Sequence, residues 1–227
     1  MREVVDGVFE LGIGYVHVHL VITDSGVVLV DTGLPGKSAR IGKALHGLRR
    51  KIGDVTTVLL THHHADHTGG LAEIRRRSGA RVVAHRDDVP YVAGAKQHVV
   101  DHPIVKIVGR IMGTPEPATV DDVVHEDGTS VLPGFTALHT PGHTPGHLSY
   151  LLDRDGGILF AGDAAAGKRG GRIGSTPKMV SDDLDQQRRS VEKLAGLDFD
   201  HAVFGHGPAL TGRAVDAFRA YAMTDAR

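Results

Sequence analysis

Between Thr61 and His67 the chain reads Thr-His-His-His-Ala-Asp-His, which places four histidines and one carboxylate within seven positions. Imidazole and carboxylate are the side chains that bind zinc and related divalent metals at neutral pH. His62, His64 and Asp66 alternate, so in an extended segment they project to one side of the backbone. Helical HExxH sites differ, because their two histidines sit four apart. A solvated histidine-rich loop or a tag would share this composition, but a tag is terminal and monotonous. This run is internal and directly follows the apolar stretch Val55 to Leu60, which favours a metal-ligating loop.

Three further stretches share one context, a polar residue just beyond an apolar strand. They are His139-Thr140-Pro141-Gly142-His143-Thr144-Pro145-Gly146-His147, Leu159-Phe160-Ala161-Gly162-Asp163 and Ala202-Val203-Phe204-Gly205-His206-Gly207. Proline and glycine fix a sharp loop in the first, and the glycines in all three let backbone and ligand approach closely. Singly, each polar residue reads as an ordinary turn residue. With the first cluster they supply enough ligands for two metals. Asp31, in Asp31-Thr32-Gly33, ends a short apolar strand, where a carboxylate needs a partner or suffers desolvation. By itself it reads as a turn-forming or capping residue.

The elements that must carry these residues follow from hydrophobic periodicity. Val4 to Glu10 and Tyr15 to Thr23 read as strands joined at Gly12 and Gly14, and Val27 to Val30 as a short third strand, an antiparallel start to a sheet. Ile41, Ala44, Leu45, Leu48 and Ile52 recur at helical spacing, with Gly53 placed to stop the helix. A strand to Leu60, the histidine run, a short helix through Leu71 and Ile74 ended by Ser78-Gly79, and a strand from Arg81 to Ala84 make a crossover unit. Ile104 to Met112 fits a helix with two apolar faces, and the proline-bounded segment 94–118 suits a lid or a homodimer contact. His98 and His102 there read as surface residues. Strands resume at Thr119 to Val124, Phe135 to His139, Leu148 to Leu152 and Ile158 to Phe160, with hairpin turns at Asp127-Gly128 and Asp155-Gly156. Ser181-Asp182-Asp183 opens a helix through Leu184, Val191 and Leu194. His201 to Phe204 is a strand, and Ala214 to Ala222 a closing amphipathic helix. No linker separates these parts, so the expectation is a single domain over 1–227. Two mixed sheets face to face, with helices outside, would bury such strands.

The bulk numbers set limits. A 227-residue chain with 41% hydrophobic and 23% charged residues is ordinary for a globular protein. A net charge of −1 gives no electrostatic reason to expect nucleic acid or an anionic membrane. The absence of cysteine excludes disulfides and confines metal ligands to His, Asp and Glu. Arg2, Glu3 and Asp6 stand where a signal peptide needs an apolar core, so a cytoplasmic protein is expected.

In motif and order the chain resembles the metallo-β-lactamase fold superfamily of hydrolases. The HxHxDH motif stands as His62, His64, Asp66 and His67, the TPGHTPGH loop supplies His143, the GD motif Asp163 and the GHG turn His206. The Asp31-Thr32-Gly33 turn also matches, which moves Asp31 from turn residue to support of the metal site. The resemblance implies an α+β fold, a four-layer αββα sandwich of two mixed β-sheets. It also implies a dinuclear centre. His62, His64 and His143 would hold one metal, Asp66, His67 and His206 the other, with Asp163 bridging. Zinc suits these ligands best, and iron or manganese also fit. Divalent cations lower the pKa of a water molecule to about 7, which supplies hydroxide at neutral pH. Asp66 and Asp163 are the expected catalytic carboxylates, orienting the nucleophile and passing its proton to the leaving group. His63 is expected to point away from the metals, while His147 and His85 are candidates for contacts behind the ligands.

The expected substrate is a small ester, thioester or lactone, as in the glyoxalase II and lactonase branches. The absent cysteine separates the chain from the cysteine-bearing β-lactamases. Only about one helix follows His206, which argues against a glutathione thioester. Lys168, Arg169 and Arg172 suit a substrate carboxylate or phosphate, or simply a solvated loop. His17 or His19 suits a place in the pocket. The other readings are a mononuclear iron sulfur dioxygenase acting on a persulfide, a β-lactam hydrolase, and a non-catalytic module with structural metals.

Overall fold

Alternating apolar residues build the start of the fold, with Val16, Val18 and Leu20 all fully buried on one face of one strand. The computed structural model describes residues 1–97 and 113–224. It divides into two units, Met1–Val123 and Val124–Arg227.

In the first unit β1 (Arg2–Val5), β2 (Val8–Ile13), β3 (Val16–Thr23) and β4 (Gly26–Val30) form an antiparallel series. The expected single strand from Val4 to Glu10 is divided, because Asp6-Gly7 turns the chain with Gly7 at φ 68°. Helix α1 (Ala39–Gly47) leads to β5 (Val55–Leu59), which pairs parallel with β4. This helix stops before Ile52. Arg49 takes φ 57° and the Arg50 N–H reaches back to the Leu45 carbonyl at 2.9 Å, closing the end. Gly53 lies instead within a 3₁₀ turn, Ile52–Asp54. Two short helices, α2 (Ala65–Thr68) and α3 (Leu71–Ser78), precede β6 (Arg81–His85), again parallel. Gly79, at φ 73°, terminates α3. After α4 (Val89–Val92) the seventh strand, β7, covers only Asp122–Val124 rather than Thr119 to Val124. The Asp121 carboxylate takes the Val82 N–H at 2.9 Å, a bond that a longer strand would make with backbone. Ile41 and Leu45 of α1 and Leu71 and Ile74 of α3 pack with β3 into one buried cluster. The expected helix from Ile104 to Met112, with His98 and His102, lies outside the described residues, as does most of segment 94–118.

The second unit carries β8 (Thr129–Leu132), β9 (Phe135–His139), β10 (Leu148–Leu152) and β11 (Ile158–Phe160) as antiparallel neighbours. Gly134, at φ 79°, turns β8 into β9. Asp127-Gly128 is therefore not a hairpin turn, since β7 belongs to the first sheet and β8 to the second. Asp155-Gly156 does join an antiparallel pair, β10 and β11. A small ribbon follows, β12 (Ala166–Lys168) with β13 (Arg172–Gly174). Helix α5 (Leu184–Ala195) starts where the Asp183 side chain accepts the Gln186 N–H at 2.8 Å. Strand β14 (His201–Val203) pairs parallel with β11, β15 (Leu210–Thr211) lies at the edge, and α6 is Val215–Thr224. Phe199, Phe204 and Phe218 are buried with Val191 and Leu194, and burying each ring contributes roughly 1.5–3 kcal/mol. Both sheets are thus mixed. No helix among the described residues is long and apolar enough to cross a membrane.

Candidate functional site

In the first unit the histidine run begins at His62, three residues past the end of β5. It is extended only as far as His64, which is the N-cap of α2 with φ −60° and ψ 150°. Beyond it the His67 and Thr68 N–H groups both bond the His64 carbonyl at 3.0 Å, so Asp66 and His67 sit on one helical turn. The simple alternation of His62, His64 and Asp66 therefore breaks at Asp66. Gly69 makes this turn possible, since a Cβ there would lie 2.1 Å from the Pro35 nitrogen. The four residues still gather. The His62 ring lies 4.7 Å from that of His64 and 4.1 Å from that of His67, and His67 Nε2 is 3.9 Å from the Asp66 carboxylate.

Asp31 fixes this group from behind. It is 2% exposed and takes φ 61°, a conformation that Asp tolerates better than most residues. Its carboxylate accepts the Thr61 N–H at 2.8 Å and the Thr61 hydroxyl at 2.7 Å, and lies 2.7 Å from His67 Nδ1. Bonded to a carboxylate, Nδ1 carries the proton, and the lone pair of His67 is on Nε2. Thr61 donates to Asp31, so at 3.0 Å it accepts from His62 Nδ1, which places the His62 lone pair on Nε2 as well. Thr32 holds the other side of His67, its N–H and hydroxyl both reaching the His67 carbonyl, at 2.7 and 2.9 Å.

In the second unit His143, Asp163 and His206 come together from three separate loops. Nε2 of His143 and Nε2 of His206 each lie 3.3 Å from the same oxygen, Asp163 Oδ2. A tetrahedral ion with bonds of 2.0–2.1 Å has ligand–ligand edges of about 3.3 Å, so these nitrogen and oxygen atoms suit a divalent metal. His143 Nδ1 faces the hydroxyls of Thr176 and Ser181 at 3.2 and 3.1 Å. His147 is oriented differently. Its Nε2 accepts the Asp163 N–H at 2.9 Å, so Nδ1 carries the proton and donates to Thr140 at 2.8 Å. Thr140 continues to Ser149 and Ser149 to the Ala161 carbonyl, a buried chain behind the Asp163 loop.

The remaining sequence candidates are placed elsewhere. His63 turns to Asp88, 3.0 Å away, and stacks on Tyr91 at 4.1 Å. His85 is buried, its Nδ1 accepting the Asp87 N–H. His17 and His19 both face Glu10, at 3.7 and 3.9 Å, and Arg2 bonds its other oxygen at 3.1 Å. Burial pushes the Glu10 carboxyl up. The His19 hydrogen bond and the charges of His17, His19 and Arg2 outweigh this and hold it below the usual range. Lys168, Arg169 and Arg172 are exposed on the β12–β13 ribbon. Sequence reasoning missed Thr61, Asp88, Thr140, Thr176, Ser181 and Gln187, which hold the ligand-type residues. No motif marks them, because hydroxyls, an amide and a lone carboxylate in such roles look like turn or helix-surface residues.

Comparison with known proteins agrees with this geometry. The family model described as Metallo-beta-lactamase superfamily matches residues 11–206. A probable metallo-hydrolase, YflN of Bacillus subtilis, is 28% identical over 93% of this chain and 88% of its own length. A hydroxyacylglutathione hydrolase of Nitrobacter hamburgensis is 32% identical over 82% of this chain, and the match spans 63% of that enzyme's own length. Among solved structures, Rm3 metallo-beta-lactamase superposes with a TM-score of 0.73 at 28% identity, covering 96% of this chain and 88% of that one. BJP-1, a subclass B3 metallo-beta-lactamase of Bradyrhizobium japonicum, gives 0.74 at 24% identity over 98% and 89%, a likeness of fold.

Proposed function

The chain belongs to the metallo-β-lactamase superfamily of hydrolases, and from that premise we propose that its two clusters together hold two divalent metal ions, zinc in the first instance. His62, His64 and His143 would hold one, Asp66, His67 and His206 the other, and Asp163 both, within a single catalytic domain. The observation that carries this reading is the orientation of the imidazoles. His62, His67 and His143 each have Nδ1 held by an oxygen partner, and in the first two the bond pattern puts the lone pair on Nε2. This is the outer support that metal-binding histidines use to fix ring and tautomer.

When bound, such ions supply an acidified water and polarise the carbonyl under attack. The chain's own residues do the rest. Asp163, almost wholly buried, sets its Oδ2 3.3 Å from Nε2 of both His143 and His206, so that all three would serve as ligands. Asp66, more exposed, would take the proton released by the attacking water and pass it to the leaving group. A small ester, thioester or lactone is the substrate class this arrangement serves. The named activity of the hydroxyacylglutathione hydrolases supports thioesters. Rm3 makes β-lactams an arm of the test.

Elemental analysis of the purified protein, followed by an ester, lactone, thioester and β-lactam panel on the zinc-loaded form, decides the matter. Two zinc ions per chain are expected, with His62→Ala and Asp163→Ala each lowering turnover by about 10³-fold or more while the protein stays folded. Full activity in either purified variant overturns the assignment. About one iron per chain, with oxygen uptake on a persulfide, would replace it by a sulfur dioxygenase.

A further inference from the structure

Helix α5 buries Val191 and Leu194, and one turn before Val191 on the same face stands Gln187, only 2% exposed. An amide in an apolar stripe needs partners, and this one has them on two sides. Gln187 Nε2 lies 2.7 Å from the Asp163 carbonyl, 3.1 Å from the Ala164 carbonyl and 2.7 Å from Thr176 Oγ1. Thr176 in turn faces His143 Nδ1 and bonds Ser181, which faces the same nitrogen.

The backbone of the same helical turn grips the other loop. A Cβ on Gly142 would lie 2.1 Å from the Gln187 nitrogen, so the loop before His143 rests flush against this residue. The Asp183 N–H bonds the Gly142 carbonyl at 2.8 Å, and the Ser190 hydroxyl bonds the Pro141 carbonyl at 2.7 Å. The side-chain neighbours of Gln187 suit its amide nitrogen, the donor end of the side chain. Two of its neighbours are carbonyls, and Thr176 accepts from it while taking part in the hydroxyl pair behind His143.

We propose that Gln187 is a positioning residue that couples two metal-ligand loops, setting Asp163 through its backbone carbonyl and His143 through Thr176. This rests on the proposed metal site and adds to it a specific support. The amide fixes the spacing of the His143 and Asp163 donor atoms, and with it the geometry of any ion they share. Disturbing it should change coordination as well as stability.

The test is cobalt(II) titration of the metal-free full-length chain, following the visible d–d absorption and affinity by chelator competition, beside the melting temperature of the metal-free form. Wild type must first bind cobalt, and failure there removes the metal reading itself. Gln187→Glu keeps the shape but sets a carboxylate against the carbonyls, and Gln187→Leu removes the donor. Both are expected to weaken cobalt binding about tenfold or more and to alter the spectrum. Thr176→Val, which cuts only the His143 arm and keeps the helix intact, should shift the spectrum with a smaller loss of affinity. Wild-type affinity and spectrum in the Gln187 variants, with only a lower melting temperature, would reduce the residue to packing and overturn the proposal. If those variants do not fold, Thr176→Val decides, and an unchanged spectrum and affinity there overturns it.

Discussion

The two units hold their ligand-type residues by different means. In the first, four of them fall within six consecutive positions, and one buried carboxylate, Asp31, reaches Thr61 and His67 from the end of β4. In the second, His143, Asp163 and His206 stand on three loops and are steadied by neutral groups, the Thr140–His147 chain, the Thr176–Ser181 pair and the Gln187 amide. A contiguous run can share one charged support. A dispersed set needs several neutral ones, each weak alone. The physical lesson is about fragility: the first cluster should fail abruptly at one residue, the second by degrees.

Asp31 gives the sharpest way to test that contrast. Asp31→Asn keeps the volume and tolerates the positive φ, but it sets an NH₂ group where three donors converge. It should destabilise the metal-free protein by about 2–4 kcal/mol and lower metal affinity by about 10–100-fold, read by chemical denaturation and chelator competition. A variant within 0.5 kcal/mol of wild type, on the usual scale for harmless surface changes, would mean that Asp31 is not the hub. His147→Ala should do less. It strips the Asp163 N–H and the Thr140 hydroxyl of a partner, for a loss of roughly 1–3 kcal/mol, with metal stoichiometry retained. Loss of an ion from His147→Ala would make His147 a ligand and break the contrast.

The same difference explains what could be read without coordinates. Ligand types in the first run are adjacent in sequence, so their purpose shows in the letters alone. The strands ending at Leu59, His139 and Phe160 were also legible, because buried β-branched and aromatic residues leave a period that burial enforces. His143, Asp163 and His206 became legible through their shared context after apolar strands and through family order. Gln187, Thr176 and Asp88 did not. A buried glutamine and an exposed one look alike in sequence, and only the carbonyls that three-dimensional packing brings to Gln187 give it a task. The departures at Asp6-Gly7 and Arg49 come from local turn geometry that the apolar pattern does not encode, and the one at Asp127-Gly128 from strand partnering, since its flanking strands join different sheets.

Glu10 extends the contrast to pH. Its folded carboxyl is held below the usual value, so its stabilising contribution is present above the unfolded glutamate pKa and is lost as pH falls through the depressed folded one. Glu10→Gln should therefore cost about 1 kcal/mol near neutrality, and the difference from wild type should shrink on acidification, measured by denaturant melts across that range. A constant difference would show that packing, not charge, is what the substitution removes.

His63 offers the smallest effect and the most direct test of orientation. It stands in the middle of the histidine run, and by composition alone it is as good a ligand as its neighbours. The structure turns it to Asp88 and lays it against Tyr91 with the rings 13° from parallel. An acceptor behind Nδ1 does not set His63 apart, since Asp88 lies there, so what separates it from its neighbours in this run is which face of the backbone its side chain leaves from. His63→Phe keeps the stack and the backbone N–H bond to Asp88 and removes the imidazole contact with that carboxylate. It should lower stability by about 1 kcal/mol and leave metal content and turnover at wild-type levels, checked by elemental analysis beside the substrate panel. If metal content fell by one ion per chain, direction of departure would not be the criterion, and Asp88 would have to be counted as a support of the metal site alongside Asp31.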